Sequence, residues 1–145
     1  MKTKLLAFLL PAGLFFIACE NPKAKQDKLQ AEVLAQHDVV MARMDEINES
    51  QTTLAEIKAN FKNIPNADTL ALQKTIDSLK GKLKEADDAM MDWMHNFNPD
   101  YEGMSHEQVM EYLGKQHIAI DSVQTLFEQS LSKSKEITSK YKQQL

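Results

Sequence analysis

The sequence predicts an all-α protein: an antiparallel, up-down-up three-helix bundle with coiled-coil-like packing, behind an N-terminal lipoprotein signal peptide. Three observations carry this. Apolar residues recur in alternating steps of three and four, the spacing of a helix face packed at a shallow angle on its neighbours. Glycine and proline, four of each in 145 residues, are too few for a β protein with a turn roughly every ten residues. After the leader the prolines fall at 22, 65 and 99. Each sits beside a break in the apolar pattern, where a residue without an N–H is tolerated.

The first element is an address. Met1-Lys2-Thr3-Lys4 is a short basic start, and Leu5 to Ala18 is apolar apart from Pro11 and Gly13. That run is shorter than the roughly twenty residues a spanning helix needs, but it suits the core of a secretory signal. It ends Phe16-Ile17-Ala18-Cys19, similar to a bacterial lipobox, with Phe16 where Leu is commonest. Residues 1–18 then form the signal peptide, Cys19 the lipidated N-terminus, and 19–23 a short tether to the bundle at 24–145. An ordinary signal peptide with an incidental cysteine, or an uncleaved anchor, is the alternative. Lipidation is favoured because the only cysteine of the chain lies where the apolar run stops, and because it disposes of an otherwise unpaired thiol. Several acyl chains give stable anchoring where one would be marginal.

Helix 1 is placed at 24–63, with Val33, His37, Val40, Met44, Ile47, Gln51 and Leu54 on one face and Ile57 and Phe61 drifting out of register. Helix 2, at 67–97, carries Leu72, Ile76, Leu79, Leu83, Ala86, Met90, Trp93 and Phe97, with Asn66 or Asp68 as its cap. Helix 3, at 105–142, opens with the capping-box pattern Ser105-His106-Glu107-Gln108. Its face is Val109, Leu113, Gln116, Ile120, Val123, Phe127, Ser130, Ser134, Ile137 and Tyr141. Lys133, Lys135, Lys140 and Lys142 gather at its C-terminal end, where cations suit the helix dipole. Short connections favour antiparallel neighbours. A continuous parallel coiled-coil dimer is the alternative, and Pro65 and Pro99 argue against it.

With turns centred near 65 and 101, position n of helix 1 faces about 130 − n of helix 2, which in turn faces helix 3 at about 202 − n. His37 then lies opposite Trp93, and Trp93 opposite Val109. All seven internal methionines (41, 44, 90, 91, 94, 104 and 110) fall at the end of the bundle that carries the anchor, with His37, His95 and His106. Thioether and imidazole donors together suit Cu(I) better than zinc or calcium. His37 and Met41 share one helical face, as do Met90 and Met94. These four are the candidate metal ligands. The plainer reading is packing: methionine fills irregular gaps and pairs with aromatic rings. On it Met44, Trp93, Phe97 and Met110 are core or partner contacts, and no cofactor is bound.

Several functions are excluded or disfavoured. The formal charge of −4, from 17 basic and 21 acidic residues, lacks the clustered basic face of a nucleic-acid-binding protein. The carboxylate–histidine pairs of a di-iron bundle are missing, since only Asp92-x-x-His95 approaches one. There is no His-Glu-x-x-His, haem-attachment, nucleophile-elbow, phosphate-loop or dinucleotide motif. A pocket around Trp93, serving an enzyme or small-ligand sensor, is the weakest reading.

His37-Asp38-Val39-Val40-Met41-Ala42-Arg43-Met44 and Met90-Met91-Asp92-Trp93-Met94-His95-Asn96-Phe97 resemble segments of a family of small lipoproteins from Bacteroidetes-type bacteria. That family is often labelled "viral A-type inclusion protein", a label that implies no viral role. Ala42 departs from the pattern, standing where proline or another residue is expected. The resemblance implies an envelope lipoprotein of unestablished activity. With the long bundle, the short tether and the missing catalytic motifs, the expectation is a non-enzymatic structural or partner-binding module, anchored by its lipid in the bacterial cell envelope, at the outer membrane, with an envelope protein as its partner. The alternative is Cu(I) binding or delivery.

Overall fold

The computed structural model describes residues 21–65 and 68–144. The signal peptide 1–18, the lipidation site Cys19 and the alternative cap Asn66 lie outside the described residues. Those described fold into α1 (Pro22–Met41), α2 (Met44–Ala59), α3 (Thr69–Asn96) and α4 (His106–Tyr141), with 3-10 turns at Phe61–Asn63 and Lys142–Gln144 and no strand.

Each start has a chemical reason. Asn21 caps α1 by accepting from the Lys23 backbone N–H at 2.9 Å, and Pro22 stands at the first helical position, where its missing N–H costs nothing. Asp68 caps α3, accepting from Ala71 N–H at 3.0 Å. Ser105 and Gln108 close the expected capping box on α4. The Gln108 side chain accepts from the Ser105 N–H at 2.8 Å, and Ser105 Oγ accepts from the Gln108 N–H at 3.3 Å.

The expected continuous helix over 24–63 is broken at Ala42–Arg43. The Ala42 N–H still reaches the Asp38 carbonyl, but the Arg43 N–H turns to Val40, three residues back, at 2.9 Å. Both residues are good helix formers, so propensity does not place the break. What changes there is the packing: α1 rests chiefly on α4, whereas α2 packs on both α3 and α4. Arg43 then bridges to Glu46 at 3.1 Å, and this hydrogen bond, more than the nearby Lys135, holds the Glu46 carboxyl below its usual range.

The core follows the apolar faces read from the sequence. Every expected α3 position from Leu72 to Trp93 is buried. On α4 the same holds for Val109, Leu113, Ile120, Val123, Phe127, Ser130 and Ser134. Ile47, Leu54, Leu83 and Phe127 are fully buried, each contributing about 2 kcal/mol of transfer free energy. α1 differs. It buries only Val33 and Val40, and it leaves Leu34 at 40%, Val39 at 52% and Met41 at 37% exposure.

The register between the last two helices departs from expectation. Phe97 should lie opposite Ser105, yet its ring meets Tyr112 at 6.3 Å, about 10 Å further along α4. Residues 97–105 do not turn tightly about position 101. Instead they fold back along α4: the Asn98 N–H donates to Tyr112 Oη at 2.7 Å, and the Tyr101 ring lies 6.0 Å from that of Tyr112. Asn98 and Asp100 side chains accept from the N–H groups two residues on, and Gly103 supplies a φ of +80°. α4 therefore overhangs the end of α3.

Candidate functional site

The centre of the site is His37, which sits on α1 between buried Val33 and Val40 and is itself only partly exposed. Its Nδ1 lies 2.9 Å from Asp38 Oδ1. A carboxylate can only accept, so this nitrogen carries the proton and Nε2 keeps its lone pair when the ring is neutral. The imidazole also rests against Trp93, with centroids 5.6 Å apart and planes tilted by 34°. Trp93 stacks on Phe97 at 4.9 Å. With Tyr112 and Tyr101 the rings form a continuous chain from α1, across the end of α3, to the connecting loop and α4.

The methionines fall into distinct environments rather than one cluster at one end. Met90 is fully buried among the core side chains, while Met44 and Met94 are partly buried against them. Met41 and Met91 are exposed. These five lie about level with His37 and the Ala42–Arg43 break. Met104, exposed, and Met110, partly buried, belong to the overhanging start of α4 with His106. The expected grouping at the end where the chain enters is thereby corrected on two counts. The α4 overhang carries Met104 and Met110 away from the others, and the rise of a helix puts Met41 about 28 Å along the axis from Pro22, near mid-length. His95 is exposed and bonds only to the Met91 carbonyl, at 2.7 Å.

Of the expected contact residues, Trp93 and Phe97 are joined by stacking, and Met44 packs on the core. Of the candidate ligands, His37 meets α3 through Trp93, Met41 is exposed, Met94 is partly buried, and Met90 is enclosed in the core. Asp77, which pairs with Lys58 of α2, marks the flank of α3 that faces α2. Helical spacing puts Met91 and Met94 on that same flank. Among the described residues no group of three or more His, Cys, Asp or Glu side chains is placed to hold a metal ion. A metal at this site would have to be one that accepts thioether sulfur.

Elsewhere the surface carries shallow grooves. One of about 530 Å³ between α3 and α4 is lined by Lys82, Glu85, Leu126, Gln129, Ser130 and Lys133. Another, of about 280 Å³, lies between α2 and α4 beside Glu46, Thr53, Leu131 and Lys135. Neither includes Trp93, which is 7% exposed and held between His37 and Phe97. Burial, with the neighbouring Tyr112 contributing less, pushes the Tyr101 hydroxyl above its usual range.

Three residues of the site were not legible in advance. Asp38 reads as a solvated helix charge, and its carboxylate is indeed mostly exposed, yet it fixes the tautomer of His37. Tyr101 and Tyr112 enter the ring chain only because of the loop's path, and the sole signal for them is their aromatic character. Among the described residues no helix is long and apolar enough to cross a membrane. The chain matches no family model, no curated protein and no solved structure in the comparisons made.

Proposed function

We propose that the chain is a non-enzymatic, lipid-anchored lipoprotein of the bacterial cell envelope, built as an up-down-up helical bundle that engages a protein partner through α1 and the adjoining flank of α3. Two sets of contacts support the topology. Glu46 and Glu49 reach Lys135 and Lys142 in ascending order, at 3.8 and 3.9 Å, as parallel α2 and α4 require. Lys58–Asp77 and His37–Trp93 pair in descending order, as antiparallel neighbours do. The anchor rests on the lipobox-like segment ending at Cys19, and the envelope address on the same segment and on the family resemblance.

The observation that carries the partner-binding reading is the inverted exposure of α1. A helix that buries two valines while leaving Leu34, Val39 and Met41 in water spends apolar surface outside its own core. Met91 adds to it from α3. Leu34 and Met41, seven residues apart, share one face of α1 while Val39 lies on another; apolar surface grouped on one face is where interaction sites form, and methionine adapts well to such contacts. A photo-crosslinking residue at position 34 of the anchored full-length chain should capture one defined protein adduct. The same probe at Gln73, exposed on the other half of α3, should not. Met91→Asp should reduce the position-34 adduct about tenfold, equivalent to about 1.4 kcal/mol of binding. Equal capture from positions 34 and 73 would remove the reading. Cys19→Ser should move the protein from the membrane fraction to the soluble one.

A further inference from the structure

We infer that His37, Met41 and Met94, next to the buried Trp93 ring, form a binding site for a soft monovalent cation of the Cu(I) type, and that Met90 takes no part in it. The inference shares Met41 with the partner-binding surface but is carried by different observations, the His37–Asp38 and His37–Trp93 contacts.

The nitrogen donor is already prepared. Asp38 accepts the Nδ1 proton of His37 at 2.9 Å, which leaves Nε2 as the basic nitrogen. An imidazole whose other N–H is held by a carboxylate is the usual arrangement of a metal-ligating histidine, because the carboxylate fixes the tautomer and raises ligand basicity. Asp38 gains nothing structural from this contact, since its side chain is 79% exposed and could be solvated by water alone.

The sulfur donors follow from helical geometry. Met41 is one turn beyond His37 on the same face of α1, and it is exposed rather than packed. Met94 directly follows Trp93, whose ring lies beside that of His37 and so brings this level of α3 to α1. It is partly buried, so its thioether is reachable without opening the core. Two thioethers and one imidazole are soft and borderline donors. They suit Cu(I), while calcium and magnesium demand oxygen. Trp93 is 7% exposed and held between the His37 and Phe97 rings, so it borders the site without offering a donor of its own. Met90 is excluded by its position, fully buried and enclosed by core residues.

The chain holds a single tryptophan, so its emission reports on this place alone. The full-length protein in detergent is titrated with Cu(I) under reducing conditions against a competing Cu(I) chelator, with Ag(I) as an air-stable counterpart. The expected result is stoichiometric quenching of Trp93 emission. Met41→Leu and Met94→Leu should each weaken apparent affinity about tenfold or more, and Asp38→Asn, as a positioning change, should weaken it by about tenfold. Met90→Leu should leave it unchanged. Leucine nearly conserves the volume of methionine, so thermal unfolding of all three Met→Leu variants should match the parent and show that folding is intact. No quenching at micromolar Cu(I) overturns the site. So does quenching that Met41→Leu and Met94→Leu both leave intact, or an equal loss in Met90→Leu.

Discussion

Met90 and Met91 are neighbours in sequence and opposites in environment, one with no exposure and the other at 42%. The step of about 100° per residue on a helix accounts for the whole difference. Met90→Ala opens a cavity in the core and should cost about 2–5 kcal/mol, while Met91→Ala should stay within about 0.5 kcal/mol. Urea unfolding of the two variants checks this, and similar midpoints would show that the face assignment is wrong. The same contrast explains how far individual residues were legible. The spacing of apolar residues separates Met90 from Met91 without any structure. It is silent on His37, whose character is set by the side-chain bond to Asp38 and the indole of another helix. Those contacts depend on rotamers and on a partner more than fifty positions away in the chain, and neither is written in periodicity.

At the scale of elements, α3 and α4 were legible almost to the residue, because strong amphipathic faces coincide with unambiguous caps at Asp68 and Ser105. The first helix was not. Its seam continues smoothly through residues 40, 44 and 47, and nothing local announces that the backbone changes its hydrogen-bonding pattern at Ala42–Arg43. The break follows from where each half packs, which is a tertiary cause. A proline at position 42 would stand where the helix is already interrupted. Ala42 has a φ of −61°, which suits the proline ring, and the cost there is the N–H bond to Asp38 with some crowding of that carbonyl and of helical Met41. Ala42→Pro should therefore cost appreciably less than Ala35→Pro in the uninterrupted, exposed middle of α1, where the penalty is about 3 kcal/mol or more. Chemical denaturation of both variants decides between them. Equal losses would mean that the interruption is held by nothing stronger than ordinary helix.

For the molecule as a whole, the all-helical class was readable but the registration of the helices was not. Counting residues to a midpoint assumes that a connection spends its length turning. The 97–105 segment spends much of it lying along α4, held by Tyr101, Tyr112 and the Asn98 N–H. Tyr101→Ala and Tyr112→Ala should consequently be non-additive, with a coupling of about 0.5–1.5 kcal/mol in a double-mutant cycle. Strict additivity would detach the loop from α4. The corrected registration also bears on where the protein does its work. On the proposed anchoring at Cys19, an upright α1 acts as a measuring rod. It lifts the His37–Met41 level up to about 28 Å from Pro22, several times the thickness of a headgroup layer of about 5–8 Å. Anything that meets this surface must then approach from the aqueous compartment. A partner or cation confined to the bilayer would be out of reach.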